Sequence, residues 1–237
     1  MVQPQHLKTR EIAKRVVAAG DPARVVQLSK MLENPRLVNE NRGFIAYTGK
    51  YEGEDVTVIC HGVGGPSSAI VFEEAVMLGA RLIIRLGSCG AFLKGMQIGE
   101  AVIPTAASYI GGTLQQYIPD THITPVPNYD VLTTLVDEFR RSGLKTYIGP
   151  VFSSDAFYAE DPNFVARWSG LGYIAVEMEC ATLFGLGMLR KFKTGSALLI
   201  SDNLAEMTPM VDAEQLKTYV EKAGRATLSA AVKIPLE

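Results

Sequence analysis

Histidine and cysteine are scarce in this chain of 237 residues, which contains three of each. Cys60, Cys89 and Cys180 lie in or beside apolar segments, and no pair of them has CxxC spacing. A structural zinc site needs clustered Cys and His ligands, so the sequence argues against one. We therefore interpret the cysteines as reduced, buried thiols, and we expect neither a metal ion nor an organic cofactor.

The chain also lacks an excess of one charge and any long apolar run. Its 23 Lys and Arg residues nearly balance its 25 Asp and Glu residues, so it has no basic footprint for nucleic acid. No apolar stretch approaches the roughly 20 residues of a membrane span. The start, MVQPQHLKTREIAKR, lacks the apolar region of a secretory signal. We expect no nucleic-acid or membrane partner, and a cytoplasmic location.

What the sequence does contain is a regular alternation of apolar patterns. Short apolar runs predict strands at residues 15–20, 56–62, 81–88, 100–108, 146–154, 173–179 and 196–202. Helical patterns occupy residues 23–32, 67–80, 128–143, 181–192 and 213–232. This alternation predicts an α/β fold with three α/β/α layers, formed by one domain over residues 1–237.

The stretch GFIAYTGKYEGEDVTVI predicts a hairpin that turns near residues 51–55, which would make the largely parallel sheet a mixed one. Residues 111–128 form the one long segment without a regular pattern, and we expect a working loop or an insertion there.

Ligands of open α/β sheets bind at the carboxyl ends of the strands, and the first such end here reads AAGDPAR. After Gly20, Asp21 can cap a helix that has Pro22 in its first turn. Arg24 then lies beside backbone N–H groups that have no partner within the helix, which favours an anion site. The same residues are equally compatible with an ordinary strand-to-helix turn that carries a surface arginine.

Two further arginines are candidates for binding an anion. Arg85 interrupts the apolar strand RLIIRLGS, and a buried arginine needs an anionic partner. A bound phosphate would supply one, together with the hydroxyl and N–H of Ser88; the alternative is a structural ion pair. Arg42 opens the hairpin, where an arginine is more often a solvated surface charge.

Acidic side chains follow two other apolar runs. YIAVEMEC carries Glu177 and Glu179, although burying an unpaired carboxylate costs several kcal/mol. SALLISDN ends in Ser201 and Asp202, and such an aspartate is commonly just a helix cap. The aromatic Phe157 follows a further strand, where core packing is the default interpretation.

These segments together resemble the hexameric-type purine nucleoside phosphorylases and uridine phosphorylases, and among them the archaeal 5′-methylthioadenosine and purine nucleoside phosphorylases. The resemblance covers essentially the whole chain through seven ordered motifs: GDPAR, NRGF, HGVGGPS, RLGSCGA, SSDAFYAED, VEMECATL and SDN. It implies a partly barrel-like central sheet. It also implies a reaction in which inorganic phosphate, as co-substrate, attacks C1′ of a nucleoside and releases the free base and a ribose 1-phosphate.

The resemblance implies roles for individual residues. The phosphate-binding set is Gly20, Arg24, Arg42, Arg85 and Ser88, with Arg42 reaching into the neighbouring subunit. The nucleoside-binding set is His6, Phe157, Glu177, Met178, Glu179 and Ser201. In the second set, Glu179 would accept the 2′- and 3′-hydroxyls and Met178 would pack on the sugar. Phe157 would contact the base, and His6 of a neighbour would approach the 5′ end.

Two predictions concern the carboxyl groups and the assembly. Asp202 would protonate N7 of the departing purine, whereas Glu177 is expected to face the opposite side and to support the site indirectly. Relatives carry an arginine that assists this acid, and Gln215 lies near that position by spacing. We expect a homohexamer built as a trimer of dimers, since His6 and Arg42 would complete a neighbour's site.

Several alternatives remain open at this point. Uridine has no N7 to protonate, and the Gln-x-Arg pair that the uridine branch uses is absent from FYAEDPNFVARW, so a purine substrate is favoured over a pyrimidine. Hydrolysis by water would not need three arginines. A nucleoside-binding protein without catalysis is the third possibility. The sequence leaves the preferred base and the 5′ substituent, including 5′-methylthio, undecided.

Overall fold

The structure is a computed structural model that describes residues 3–159 and 161–236. Within these residues nine strands form one mixed sheet, in the order β2-β3-β4-β1-β5-β8-β7-β6-β9, with an additional pairing between β5 and β9. The strands are β1 Arg15–Ala19, β2 Glu33–Asn39, β3 Ala46–Tyr51, β4 Glu54–Cys60, β5 Leu82–Ala91, β6 Ala101–Tyr109, β7 Thr146–Ser153, β8 Ala175–Glu177 and β9 Lys193–Asn203. The extra pairing closes β5 to β9 into a five-stranded barrel.

Helices cover both faces of the sheet. They are α1 Pro22–Ser29, α2 Gly65–Met77, α3 Gly112–Tyr117, α4 Tyr129–Arg141, α5 Phe164–Gly170, α6 Cys180–Arg190 and α7 Ala213–Lys233. One apolar core forms beneath α2 and α6 around Phe72 and Phe184, and the other forms beneath α1, α4 and α7 around Leu28 and Phe139. The predicted three-layer α/β/α architecture with a mixed, partly barrel-like sheet is therefore confirmed.

The local predictions differ from the structure in a few segments. The hairpin is confirmed, since β3 and β4 pair antiparallel from Ala46 opposite Ile59 to Tyr51 opposite Glu54. Strand β2 and helix α5 were not expected, and α3 lies within residues 111–128, which had no regular pattern. Strand β2 is exposed over most of its length, so it lacks the apolar run by which buried strands are recognised.

The pairing of β5 with β9 determines which edge of the sheet carries the predicted site residues. These two strands run parallel from Leu82 opposite Lys193 to Ala91 opposite Asn203, with a bulge between Cys89 and Gly90. The bulge places Gly90 opposite Asp202. Parallel pairing brings both carboxyl ends to one edge of the sheet, next to the end of β1.

Candidate active site

A cavity of about 1340 Å³ opens at this edge of the sheet. Ten of the twelve predicted site residues line it: Gly20, Arg24, Arg85, Ser88, Phe157, Glu177, Met178, Glu179, Ser201 and Asp202. His6 and Arg42 are the two that do not. The structure therefore brings together residues from five separate segments of the chain, and it leaves the two residues predicted to serve a neighbour outside.

Arg24 lines the cavity from the first turn of α1. Asp21 caps this helix, since its Oδ1 accepts the N–H of Ala23 at 2.8 Å. Arg24 is only 7% exposed, so the surface-arginine alternative is wrong. Burial, together with the charge of Arg85, lowers the pKa of Arg24 to about 10. One guanidinium nitrogen, Nη1, donates to the carbonyl of Leu86 at 3.1 Å.

Arg85 is buried in β5 between the two glutamates. Its Nη2 donates to Oε2 of Glu179, and its Nη1 lies 3.4 Å from Oε2 of Glu177. Burial would lower the pKa of Arg85, but the charges of Glu179 and Glu177 raise it above its usual value. A methyl group built on Gly87 would overlap the Arg85 guanidinium, which explains the glycine at that position. The structural ion pair considered as an alternative is therefore present.

Arg24 and Arg85 both keep donors that the contacts described above leave unused. Nε of Arg24, and Nε and Nη1 of Arg85, are buried and make no hydrogen bond with any group of the described residues. Buried donors without acceptors are costly, so these positions are suited to an anion that brings several oxygens. Ser88 lines the same cavity. At Gly20 a side chain is excluded, because a Cβ would lie 2.8 Å from the carbonyl oxygen of Gly62.

The two glutamates have different surroundings. Oε1 of Glu179 accepts the N–H of Gly64 at 2.6 Å, and Oε2 accepts Arg85. Burial would raise the pKa of Glu179, but the Arg85 charge and hydrogen bonds hold it below its usual value. Glu177 accepts Ser153 Oγ and, at 2.8 Å each, the N–H groups of Glu179 and Cys180. Its carboxylate is therefore occupied by the protein itself.

The expectation that Glu177 faces away from Glu179 is wrong. Both carboxylates converge on Arg85. Residues two apart in an extended chain share a face, so extension would not have separated the two side chains. In the structure β8 ends at Glu177 and Glu179 is the N-cap residue of α6.

Asp202 lies in β9 and lines the same cavity, so its interpretation as a helix cap is wrong; Asp212 caps the following helix α7. Burial raises the pKa of Asp202, although a hydrogen bond from Ser201 Oγ to Oδ1, 2.7 Å long, opposes the shift. The other oxygen, Oδ2, faces Gly90, where a Cβ would lie 3.0 Å from it. Gly90 and Asp202 both line the cavity, and the glycine leaves the space beside Oδ2 free of a side chain.

Gln215 does not assist this acid. Its backbone N–H donates to Asp212 Oδ1 at 2.9 Å, and its own Oε1 accepts the N–H of Asp212 at 3.1 Å, which forms the capping box of α7. Among the described residues, Ser201 is the group that hydrogen-bonds the Asp202 carboxyl. The relatives' arginine therefore has no counterpart in Gln215.

The raised pKa of Asp202 predicts a pH-dependent effect on stability. The folded state binds this proton more tightly than the unfolded state, so the wild type loses stability as pH rises from the unfolded pKa through the folded one. Asp202→Asn has no proton to lose. We expect its thermal midpoint to match the wild type below the unfolded pKa of about 3.9, and to exceed it by a difference that grows until the pH passes the folded pKa. An offset between the two midpoints that does not change with pH would contradict this.

Aromatic side chains also line the cavity. Phe157 is 61% exposed and meets Tyr158 edge-on in the loop after β7, so core packing is the wrong explanation for this pair. Phe152 and Trp168 stack with their ring centroids 3.8 Å apart and also line the cavity. The sequence did not predict this second pair, because Trp168 lies on a short helix with no recognisable pattern.

Three further groups were missed from the sequence. Gly64 and Ser153 bind the glutamates through the hydrogen bonds described above. His61 is completely buried, and neither of its ring nitrogens has a hydrogen-bond partner among the described residues. Burial is the main cause that lowers the pKa of His61 to about 4, and the charge of Arg85 adds to it. The imidazole is therefore neutral at neutral pH. Its position after a strand, in ICHG, was the available signal.

His6 and Arg42 lie together outside the cavity. His6 Nδ1 bonds Glu74 Oε1 at 2.8 Å, and its ring packs edge-on against Phe44. Arg42 is exposed in a short turn with φ of 55°, a left-handed conformation that is unusual for a residue with a side chain. Neither residue is part of the lining of this chain's own cavity.

The described residues contain neither a metal-binding cluster nor a helix that could span a membrane. Across residues 3–159 and 161–236, His, Cys, Asp and Glu side chains form no group of three or more that could hold a metal ion. No helix in the same ranges combines the length and apolar character that crossing a bilayer requires. All three cysteines are free and buried, as predicted.

Comparison with known proteins identifies the family. The sequence model of the phosphorylase superfamily matches residues 14–233. A guanosine phosphorylase from Halorubrum lacusprofundi is 33% identical over 97% of this chain and 98% of that protein. A DeoD-type purine nucleoside phosphorylase from Roseobacter denitrificans is 33% identical over 86% and 89%. A uridine phosphorylase from Haemophilus influenzae is 28% identical over 92% of each chain.

These matches extend over nearly all of the chain, so they include every strand and helix that forms the cavity. They confirm the resemblance that the seven motifs suggested. The chain belongs to the phosphorylase superfamily and is a pentosyltransferase of the purine nucleoside phosphorylase family, with nucleoside phosphorylase activity.

Proposed function

We propose that the protein catalyses the phosphorolysis of purine nucleosides in purine salvage, with Asp202 as the general acid. The observation that carries this proposal is a carboxyl group with a raised pKa that lines the same cavity as two buried guanidiniums with unused donors. Phosphorolysis of a purine nucleoside needs a bound anion that attacks C1′ and an acid that protonates N7. The guanidiniums would hold the first, and Asp202 would supply the second. Pyrimidines have no N7, so they would make no use of Asp202.

Phosphate binds where the donors of Arg24 and Arg85 are unused, with Ser88 and the backbone at Gly20 beside them. The guanidiniums concentrate and orient the dianion below C1′, which is a proximity and electrostatic effect. A phosphate oxygen forms a bond to C1′ while the bond from C1′ to N9 breaks. The electron pair of that bond moves into the purine ring.

The ribose lies over Glu179. A carboxylate offers about four lone-pair positions, and Gly64 and Arg85 occupy two of those on Glu179. The remaining two suit the vicinal hydroxyls of the sugar, and the negative charge stabilises the positive charge that develops on the ring. Met178 lines the cavity next to it and packs on the sugar. Glu177 holds Arg85 and the chain at residues 179–180 rather than binding the nucleoside directly.

The base lies between Phe157 and Asp202. The protonated carboxyl donates its hydrogen from Oδ2 to N7 as the glycosidic bond breaks, since Ser201 already occupies Oδ1. Burial keeps part of the Asp202 population protonated at higher pH than an exposed aspartate. No step of this mechanism requires a metal or an organic cofactor.

A panel of nucleosides tests the proposed function. We expect phosphate-dependent release of base from at least one of inosine, guanosine, adenosine and 5′-methylthioadenosine, with little turnover of uridine. Guanosine is included because a relative bears the name guanosine phosphorylase. The free base and the pentose 1-phosphate are quantified by chromatography. Turnover of uridine alone would overturn the purine assignment, and cleavage that does not depend on phosphate would indicate a hydrolase.

We also propose that the protein forms a homohexamer, a trimer of dimers, in which His6 and Arg42 complete the neighbour's site. Both residues lie outside the cavity of their own chain, and Arg42 is exposed. A monomer with full activity in light scattering at the assay concentration would contradict this assembly.

Mixing two inactive variants tests the sharing of sites directly. In a mixed dimer of Arg42→Ala and Asp202→Asn chains, one site receives an intact Asp202 from one chain and an intact Arg42 from the other. Random exchange at equal concentrations then restores about one quarter of the sites. We expect this recovery after unfolding and joint refolding. Mixed samples that are no more active than the separate variants would show that Arg42 acts within its own chain.

A further inference from the structure

The carboxylate of Glu74 organises the segment that contains His6. It lies in the last turn of α2, is 7% exposed, and accepts the N–H groups of Gln5, His6 and Leu7 at 2.9, 2.9 and 2.7 Å. The fourth donor is the ring nitrogen Nδ1 of His6, 2.8 Å from Oε1. A buried carboxylate is costly unless hydrogen-bonded, and here four donors compensate for its burial.

This arrangement determines the tautomer of His6. Because a carboxylate only accepts hydrogen bonds, Nδ1 carries the hydrogen, and in the neutral ring Nε2 keeps its lone pair. No group in the described part of the chain hydrogen-bonds Nε2. The Nε2 atom can therefore accept a hydrogen bond from a hydroxyl outside its own chain.

The same segment is tied to the turn that carries Arg42. Nδ2 of Asn41 donates to the carbonyl of His6 at 2.9 Å, and the His6 ring packs against Phe44 with centroids 5.9 Å apart. Nδ2 of Asn39 donates to the carbonyl of Phe44 at 2.6 Å. His6 is thus held from two sides, and its ring has little freedom to turn.

We propose that Glu74 is a positioning residue for the 5′ end of the substrate. It holds His6 as the Nδ1–H tautomer, so that Nε2 accepts the 5′-hydroxyl of a nucleoside bound in the neighbouring subunit. This selects nucleosides with a free 5′-hydroxyl over 5′-methylthio nucleosides, because a thioether has no hydrogen to donate. The inference rests on the proposed function, which assigns His6 to a neighbour's site.

The test compares a purine nucleoside with its 5′-deoxy counterpart, for example inosine and 5′-deoxyinosine, in Glu74→Gln. An amide can donate to Nδ1 and so favour the other tautomer. We expect kcat/KM for inosine to fall about tenfold, the effect of one lost hydrogen bond, while that for 5′-deoxyinosine stays within about twofold of the wild type. Glu73→Gln is the matched control, since Glu73 is the adjacent residue on α2 and pairs with Arg190 on the surface.

The outcomes separate this inference from the proposed function. If the wild type cleaves no purine nucleoside with phosphate, the proposed function fails. If the wild type is active but Glu74→Gln slows both nucleosides equally, the residue has a structural role only and the inference is wrong. The double variant His6→Ala with Glu74→Gln adds a second measurement. It should be no slower than His6→Ala alone, and a further loss would also overturn the inference.

Discussion

Replacing Asp202 with Asn should lower kcat/KM for purine nucleosides by about 10²- to 10⁴-fold, the usual contribution of general acid catalysis. The amide has nearly the same shape and can still accept the hydrogen bond from Ser201, so the cavity is preserved. What it lacks is the acidic proton that N7 of the base receives. Steady-state kinetics with saturating phosphate, on a variant whose circular dichroism matches the wild type, measures this loss.

An N7-methylated purine nucleoside, such as 7-methylguanosine, is the matched substrate control. Its base already carries the positive charge that protonation would create, so its departure needs no acid. We expect Asp202→Asn to cleave this substrate at a rate within about tenfold of the wild type while losing most activity on guanosine. If both substrates are slowed equally, Asp202 serves binding or structure, and the acid must be sought elsewhere in the cavity.

The sequence could predict the layers of the fold and most of the cavity lining, for a physical reason. Parallel strands bring their carboxyl ends to one edge, so residues that follow separate strands meet in space. Gly20, Ser88 and Asp202 each follow or end an apolar run and were found in this way. The buried strands and amphipathic helices were recognisable because their periodicity reflects the core they enter.

The contacts that tune these residues could not be predicted from the sequence. The ion pair of Arg85 with Glu177 and Glu179 depends on where β8 ends, and strand ends are set by tertiary contacts rather than by local pattern. The bond between His6 and Glu74 joins residues 68 positions apart. The stack of Phe152 on Trp168 joins a barrel strand to a short helix. Nothing in local periodicity encodes such distant pairs.

Gln215 shows that spacing in the sequence does not by itself predict the role of a residue. Its spacing from Asp202 suggested a role beside the acid, but its sequence context, DAEQ before an apolar helix, is also a helix start signal. In the structure Gln215 serves at the helix start, since Gln215 and Asp212 form the capping box of α7. Spacing alone cannot separate the two roles, because a helix can begin anywhere between the acid and its predicted partner.

Replacing Arg24 with Met should lower the efficiency with which the enzyme uses phosphate as a substrate. Its guanidinium forms no ion pair with a carboxylate in the described residues, and its Nε is buried without a partner. The variant therefore removes a donor to the attacking anion and leaves no carboxylate unpaired. We expect kcat/KM for phosphate to fall by about 10²- to 10³-fold, as for the loss of one preorganised donor.

Arg85 is less suitable for this test, because its removal would leave Glu177 and Glu179 buried without a cation, at a cost of about 3–5 kcal/mol of stability. Loss of activity there would not distinguish unfolding from lost phosphate binding.

Arg36→Met is the matched control for Arg24→Met, since Arg36 pairs with Glu11 on the exposed strand β2, away from the cavity lining. Equal KM values for phosphate in Arg24→Met and the wild type would place the anion elsewhere. If Arg24→Met has a normal thermal midpoint but a raised KM for phosphate, the phosphate binds at the start of α1. In that case the fold is unchanged and only the Arg24 hydrogen-bond donors have been lost.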